Sequence, residues 1–290
     1  MSLIEKSSGN FKPVILTIVM LFFLSMIRAQ TRDTIYLWPD KVPGEKEAKH
    51  APVQIDNTKG NVVRLTNVTN PALVIFEPVK QNDSGVGIII SPGGGYEMLA
   101  IDKEGYEIAE WLNNLGYTAF VLLYRVPNNQ NGALNDIQKA IRIVRSNSDK
   151  YNLKSDKIGV LGFSAGGSLS ARASTSFTSN TYEKSDSIDT LSSRPDFAML
   201  IYPAYLDKGE NRNITPELQI TQETPPFFIF GTADDIHGNS TLVMATALRD
   251  HKIPVELHLL PRGGHGYGKR PGNIAAETWP NLAKKWLEER

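Results

Sequence analysis

The chain of 290 residues balances 31 lysines and arginines against 31 aspartates and glutamates, so no net field draws it to nucleic acid or an anionic membrane. It has no cysteine, which excludes disulfides, thiolate metal sites and cysteine nucleophiles together. An apolar fraction of 41% suffices for a sizeable core, and the length allows one large domain or two small ones.

At the amino terminus, Lys6 and Lys12 precede an apolar run from Val14 to Ile27, short for a membrane span and suited to the h-region of a signal peptide. Ala29 offers a small residue for cleavage before Gln30, although Ile27 is not small and Arg28 crowds the cut. The expectation is a signal peptide over residues 1–29, then a single domain over 30–290 that is secreted or periplasmic. No stable membrane span is expected in the mature chain; an uncleaved anchor is the alternative.

From Thr31 to Gly60 the chain is polar and punctuated by prolines, an extended lead-in with one short strand at Ile35–Trp38. Val62–Thr66 and Ala72–Glu77 read as strands separated by turn residues. Gly87–Ser91 is a continuous apolar run, as expected of a strand buried on both faces, and it ends in Pro92-Gly93-Gly94-Gly95-Tyr96. A helix starts near Glu104, with Ile108, Trp111, Leu112 and Leu115 on one stripe and Gly116 just past its end. Thr118–Tyr124 is another buried strand, and Leu134, Ile137, Ile141 and Val144 mark a second amphipathic helix. Further strands follow at 157–162, Phe197–Tyr202, Pro226–Gly231 and Val255–Leu260, with helices near Asn239–His251 and Thr278–Glu288. The polar, serine- and threonine-rich stretch from Ser174 to Ser193 reads as an inserted surface loop. Alternation of strands and helices predicts an α/β architecture: a mostly parallel sheet with helices on both faces. Ligands of such sheets bind outside the carboxyl ends of the strands.

The chemistry collects there. Gly162-Phe163-Ser164-Ala165-Gly166 follows a strand and opens a run of small residues suited to a helix, the context in which a Gly-x-Ser-x-Gly pattern presents its serine on a sharp turn. A hydroxyl is a poor nucleophile at neutral pH and needs a base. Among His50, His237, His251, His258 and His265, the last sits in Arg262-Gly263-Gly264-His265-Gly266-Tyr267-Gly268, directly after the final strand, where glycines let the ring reach a neighbouring loop. His237 is the rival. The base needs a carboxylate to orient it. Strand 226–231 ends in Gly231-Thr232-Ala233-Asp234-Asp235, and of the two competing aspartates Asp234 is taken as the orienting acid and Asp235 as a loop or cap residue. The order Ser164, Asp234, His265 is that of α/β-hydrolases. For the oxyanion, the amide of Ala165 at a helix start and those of Gly94 and Gly95 are the expected donors. Tyr96, Glu104, Arg125 and Tyr267 are candidate substrate contacts. Neither a P-loop nor a dinucleotide fingerprint is present, and the mechanism calls for no metal or cofactor.

The stretches SPGGGYEMLAIDKEGYEIAEWLNNLGYTAFVLLYRVP, VLGFSAGG, RPDFAMLIYP, FFIFGTADD and GGHGYG make the chain from about Leu37 onward similar to secreted acetylxylan esterases of the α/β-hydrolase superfamily. The resemblance implies the α/β-hydrolase fold with a sheet of about eight strands, and removal of acetyl or small acyl groups from a plant polysaccharide such as acetylated xylan. It also implies that Glu104 orders the oxyanion loop, and that an acylated carbohydrate, not nucleic acid, is the partner. Pro92 departs from the His-Gly-Gly-Gly of many esterases, which leaves open which glycine amide faces the oxyanion. The alternatives are a general short-chain esterase or peptidase-like enzyme of the same fold, and a non-catalytic carbohydrate-binding protein.

Overall fold

The computed structural model describes residues 32–55, 60–79, 82–179 and 181–290. The expected signal peptide, residues 1–29, lies outside them. Residues Asp33–Arg290 pack as one unit. The continuous apolar runs read from the sequence become inner strands of one sheet, buried on both faces: Ile88, Ile89 and Ile90 are fully inaccessible, as are Phe120, Val121 and Leu122. Each such side chain contributes roughly 1.5–3 kcal/mol on burial.

The sheet has eight strands. In chain order these are β1 (Thr34–Tyr36), β4 (Ala72–Phe76), β5 (Gly87–Ser91), β7 (Thr118–Leu123), β8 (Ile158–Phe163), β9 (Phe197–Ile201), β10 (Phe227–Thr232) and β11 (Val255–Leu260). Their spatial order is β1-β4-β7-β5-β8-β9-β10-β11. Pairs β1–β4 and β4–β7 are antiparallel; from β7 to β11 every pair is parallel. A second sheet joins β2 (Val53–Ile55), β3 (Arg64–Thr66) and β6 (Leu99–Ala100); of these only β3, within the expected strand Val62–Thr66, was visible in the sequence.

Five α-helices are described: α1 (Glu107–Asn114), α2 (Gln130–Ser146), α3 (Ala165–Thr175), α4 (Gly238–Asp250) and α5 (Ile274–Leu287). Trp111 of α1 meets Trp279 of α5 edge to face, with centroids 5.1 Å apart. Helices α2 and α3 pack on each other, and α3 lies against β8 and β9. After β5 the chain crosses to β7 on one side; after β7 it returns to β8 on the other. The loops leaving β5 and β8 therefore diverge, and the crevice between them is the topological switch point at which ligands of such sheets bind. That crevice positions the site.

The 174–193 stretch is not a free surface loop. Helix α3 runs through Thr175, and a short 3₁₀ turn at Ser187–Thr190 brings Asp189 down onto α2. There Lys139 contacts Asp186 at 2.7 Å and Asp189 at 3.0 Å, while Arg142 donates to the Tyr182 hydroxyl, which donates to Asp189. The segment is polar because the face of α2 that it covers is polar.

Candidate active site

Ser164 sits between β8 and α3 with φ 51° and ψ −117°, a strained conformation for a non-glycine residue. The turn closes so tightly that a Cβ at Gly166 would lie 2.0 Å from the Ser91 carbonyl oxygen, and one at Gly162 would lie 2.1 Å from that of Gly166. Only glycine fits at either position. The backbone is held in place by its own hydrogen bonds: Ser164 N–H donates to Ile201 O, and Ala204 N–H donates to Ser164 O.

The loop after β11 delivers His265. Its Nε2 lies 2.7 Å from Ser164 Oγ and its Nδ1 lies 2.7 Å from Asp235 Oδ2. A carboxylate can only accept, so Nδ1 carries the proton and Nε2 is the acceptor for the serine hydroxyl. An alcohol, an imidazole and a carboxylate thus form one hydrogen-bonded chain across three post-strand loops.

The acid in that chain corrects the sequence reading. Asp235, not Asp234, meets the ring. Asp235 is 8% exposed and also accepts from His237 N–H at 2.8 Å, an Asx-turn that locks its carboxylate inward. Asp234 faces solvent and accepts from the amides of Gly263 at 3.1 Å and Gly264 at 2.9 Å, hydrogen bonds that lower its pKa. It clamps the loop that carries His265. Neither aspartate caps α4 with its side chain, where His237 holds the N-cap position. Ser164 Oγ pairs with His265 rather than with His237, whose ring centroid lies 4.9 Å from that of His265. Burial, then the neighbouring His265, hold its pKa below the usual imidazole value.

Opposite the serine, the glycine loop after β5 is folded back on itself. The Gly94 carbonyl accepts from Glu97 and Met98, and Gly94 takes φ 135°, where a Cβ would strike Met98 O. The amide of Gly93 is spent on Glu104 Oε2 at 2.8 Å. Those of Gly94 and Gly95 have no acceptor among the described residues, and Ala165 N–H is the first of α3, without a partner inside the helix. Gly94 and Gly95 share the wall of a cavity of about 330 Å3 with Ser164, Glu104, His237 and His265.

The chain resembles known proteins over most of its length. Residues 73–201 match the BD-FAE family. Identity to the acetylxylan esterase of Xylanibacter ruminicola is 31% over 243 residues, 74% of this chain and 48% of that protein. Identity to endo-1,4-beta-xylanase B of Butyrivibrio fibrisolvens is 32% over 205 residues, 62% of this chain and 32% of that protein. The crystal structure of an acetyl ester-xyloside bifunctional hydrolase from Caldicellulosiruptor lactoaceticus superposes with a TM-score of 0.72 at 32% identity, covering 89% of this chain and 96% of that one. The chain belongs to the α/β-hydrolase esterases. The chain spans less than half the length of the first two relatives.

In this esterase the position of Glu104 is set by a π-helical turn, Asp102–Tyr106, in which Tyr106 N–H donates to Ile101 O five residues back. Glu104 is buried; burial raises its pKa, against hydrogen bonds from the Tyr202 hydroxyl and Gly93 N–H. Tyr202 Oη donates to Glu104 at 2.8 Å and accepts from Gly268 N–H at 2.9 Å. Lys103 reaches the Gly266 carbonyl from the same turn, and Arg270 pairs with Asp102 and Glu107. The glycine loop after β5 and the histidine loop are therefore joined behind the site. Tyr202, which the sequence reading placed only at a strand end, is the joint; its one signal was its position after a buried strand on this edge.

Two expected substrate contacts, Arg125 and Tyr267, fall elsewhere, and a third, Tyr96, lies beside the site rather than in it. Arg125 is buried in an ion pair with Asp136, also donating to the carbonyls of Pro43 and Gly132, and it lines neither the cavity of Ser164 nor the one beside it. Tyr267 packs edge to face on Tyr202, with centroids 4.3 Å apart, as a core side chain. Tyr96 does not line the cavity of Ser164 but a neighbouring one. Among the described residues no cluster of histidines and acidic side chains could hold a metal, and no helix is long and apolar enough to cross a membrane.

Proposed function

We propose that this esterase removes acetyl or other small acyl groups from a plant polysaccharide such as acetylated xylan, with Ser164 as nucleophile, His265 as base and Asp235 as the orienting acid. The observation that carries the reading is the hydrogen-bonded chain from Ser164 Oγ through His265 to Asp235, with both links at 2.7 Å. Ser164 Oγ attacks the ester carbonyl as Nε2 takes its proton. The amides of Ala165, Gly94 and Gly95 hold the oxyanion, with Gly93 tied back to Glu104. Collapse expels the sugar alcohol, which receives the proton from His265, and leaves an acyl group on Ser164. Water, deprotonated by the same nitrogen, then releases the acid. The acyl-carbohydrate substrate is supported by the names of the relatives, an acetylxylan esterase and an acetyl ester-xyloside hydrolase. An extracellular or periplasmic site of action fits that substrate and the amino-terminal apolar run.

Acetate released from acetylated xylan, measured for wild type and Ser164→Ala, tests this. Release by wild type and a loss of at least about a thousandfold in the variant is the expected result. Turnover of p-nitrophenyl acetate without release from xylan would replace the polysaccharide with a general short-chain ester. Equal rates in the two proteins would remove Ser164 as nucleophile.

A further inference from the structure

A cavity of about 560 Å3 adjoins that of Ser164 and shares Gly95 and Tyr205 with it. Tyr205 forms the partition. Its backbone is left-handed at φ 61°, costly for a bulky residue, so its ring is placed by the fold rather than by preference. The ring stacks over buried Tyr96, with centroids 6.3 Å apart, and meets His237 edge to face at 5.3 Å. It is a fixed aromatic surface between the two hollows.

Beyond it the walls are polar. Arg172 and Glu217 pair at 3.2 Å, the amides of Gln130 and Asn131 stand beside them, and the Lys208 ammonium lies 5.5 Å from the Tyr205 ring. Donors and acceptors in alternation beside an aromatic face suit a ligand with many hydroxyls and apolar ring faces. An acetyl group has no use for such walls. It is accommodated in the smaller cavity, against Val62 and Ala100.

We propose that this second cavity is the subsite for the alcohol side of the substrate. It takes the glycan chain beyond the acylated sugar, with a sugar ring against Tyr205 and hydroxyls on Lys208 and the Arg172–Glu217 pair. This rests on Ser164 as the reacting centre, and it adds that the enzyme reads the chain as well as the ester.

Deacetylated sugars test the subsite apart from the deacetylation reading. Inhibition of p-nitrophenyl acetate hydrolysis is measured with xylose and with xylotriose, in wild type and in the separate variants Lys208→Ala and Glu217→Gln, both at exposed positions. Xylotriose should inhibit wild type competitively and at least about tenfold better than xylose. Each variant should lose most of that advantage, with kcat/KM on p-nitrophenyl acetate within about twofold of wild type. Equal inhibition by the two sugars, or variants inhibited like wild type, would overturn the subsite even if acetylated xylan proves a good substrate. So would a fall in p-nitrophenyl acetate turnover in both variants, since the side chains would then act on the serine's own cavity. Strong inhibition by xylotriose without acetate release from xylan would keep the subsite and discard the proposed reaction.

Discussion

Asp235 and Asp189 are buried to a similar degree, at 8% and 2% exposure, yet one faces an imidazole at the mouth of a cavity and the other an ammonium beneath a docked segment. Asp189 is saturated. Lys139, the Tyr182 hydroxyl and the backbone and hydroxyl of Ser185 all donate to it. Burial alone would raise its pKa, but those hydrogen bonds outweigh it and bring the value down to about 2. Asp235 receives one backbone N–H and one imidazole N–H, with no permanent cation against it. The first arrangement neutralises a charge that is always present. In the proposed mechanism the second keeps a negative charge ready for a positive one that exists only while His265 holds the proton of Ser164.

Breaking the two sites separates these roles. The largest expected effect is Asp235→Asn, which leaves the shape but removes the charge and favours the wrong imidazole tautomer. A fall of about ten-thousandfold in kcat, near 5 kcal/mol of barrier, should accompany an unchanged Tm. Next is Lys139→Met, which leaves Asp189 and Asp186 without their cation. Urea unfolding should show a loss of about 3–5 kcal/mol, while kcat of the folded enzyme stays at the wild-type value. The same site has a pH signature. Because the folded pKa of Asp189 lies below its unfolded 3.8, the stability it contributes is complete above that value and is lost as pH falls towards about 2. Asp189→Asn should therefore differ most from wild type above pH 4 and converge with it in acid. The smallest effect is expected for Asp234→Asn. The exposed clamp on Gly263 and Gly264 should cost less than about tenfold in kcat, and a loss as large as that of Asp235→Asn would reverse the assignment of the two acids.

The pieces that were legible in the sequence are those with a period or a place in chain order. Continuous apolar runs announced β5, β7 and β8, and Ser164 and His265 stood out because each follows a strand in a glycine-rich turn. The choice between Asp234 and Asp235 was not legible. Neighbouring residues past a strand end differ only in which way the backbone turns them, and a hydrogen bond from His237 N–H decides it. Arg125 looked available because its partner, Asp136, lies on another element. The 174–193 stretch looked like solvent-facing loop because its polarity is answered by Lys139 and Arg142, on a helix whose apolar stripe drew the eye first. Strands of two or three residues, such as β2 and β6, carry too few side chains to show any alternation.

Tyr202 carries a consequence of its own. One phenol oxygen gives its hydrogen to the acid behind the glycine turn and receives one from the segment bearing the imidazole. Neither half of the reaction centre can drift without dragging the other, so disorder there would be all-or-none rather than gradual.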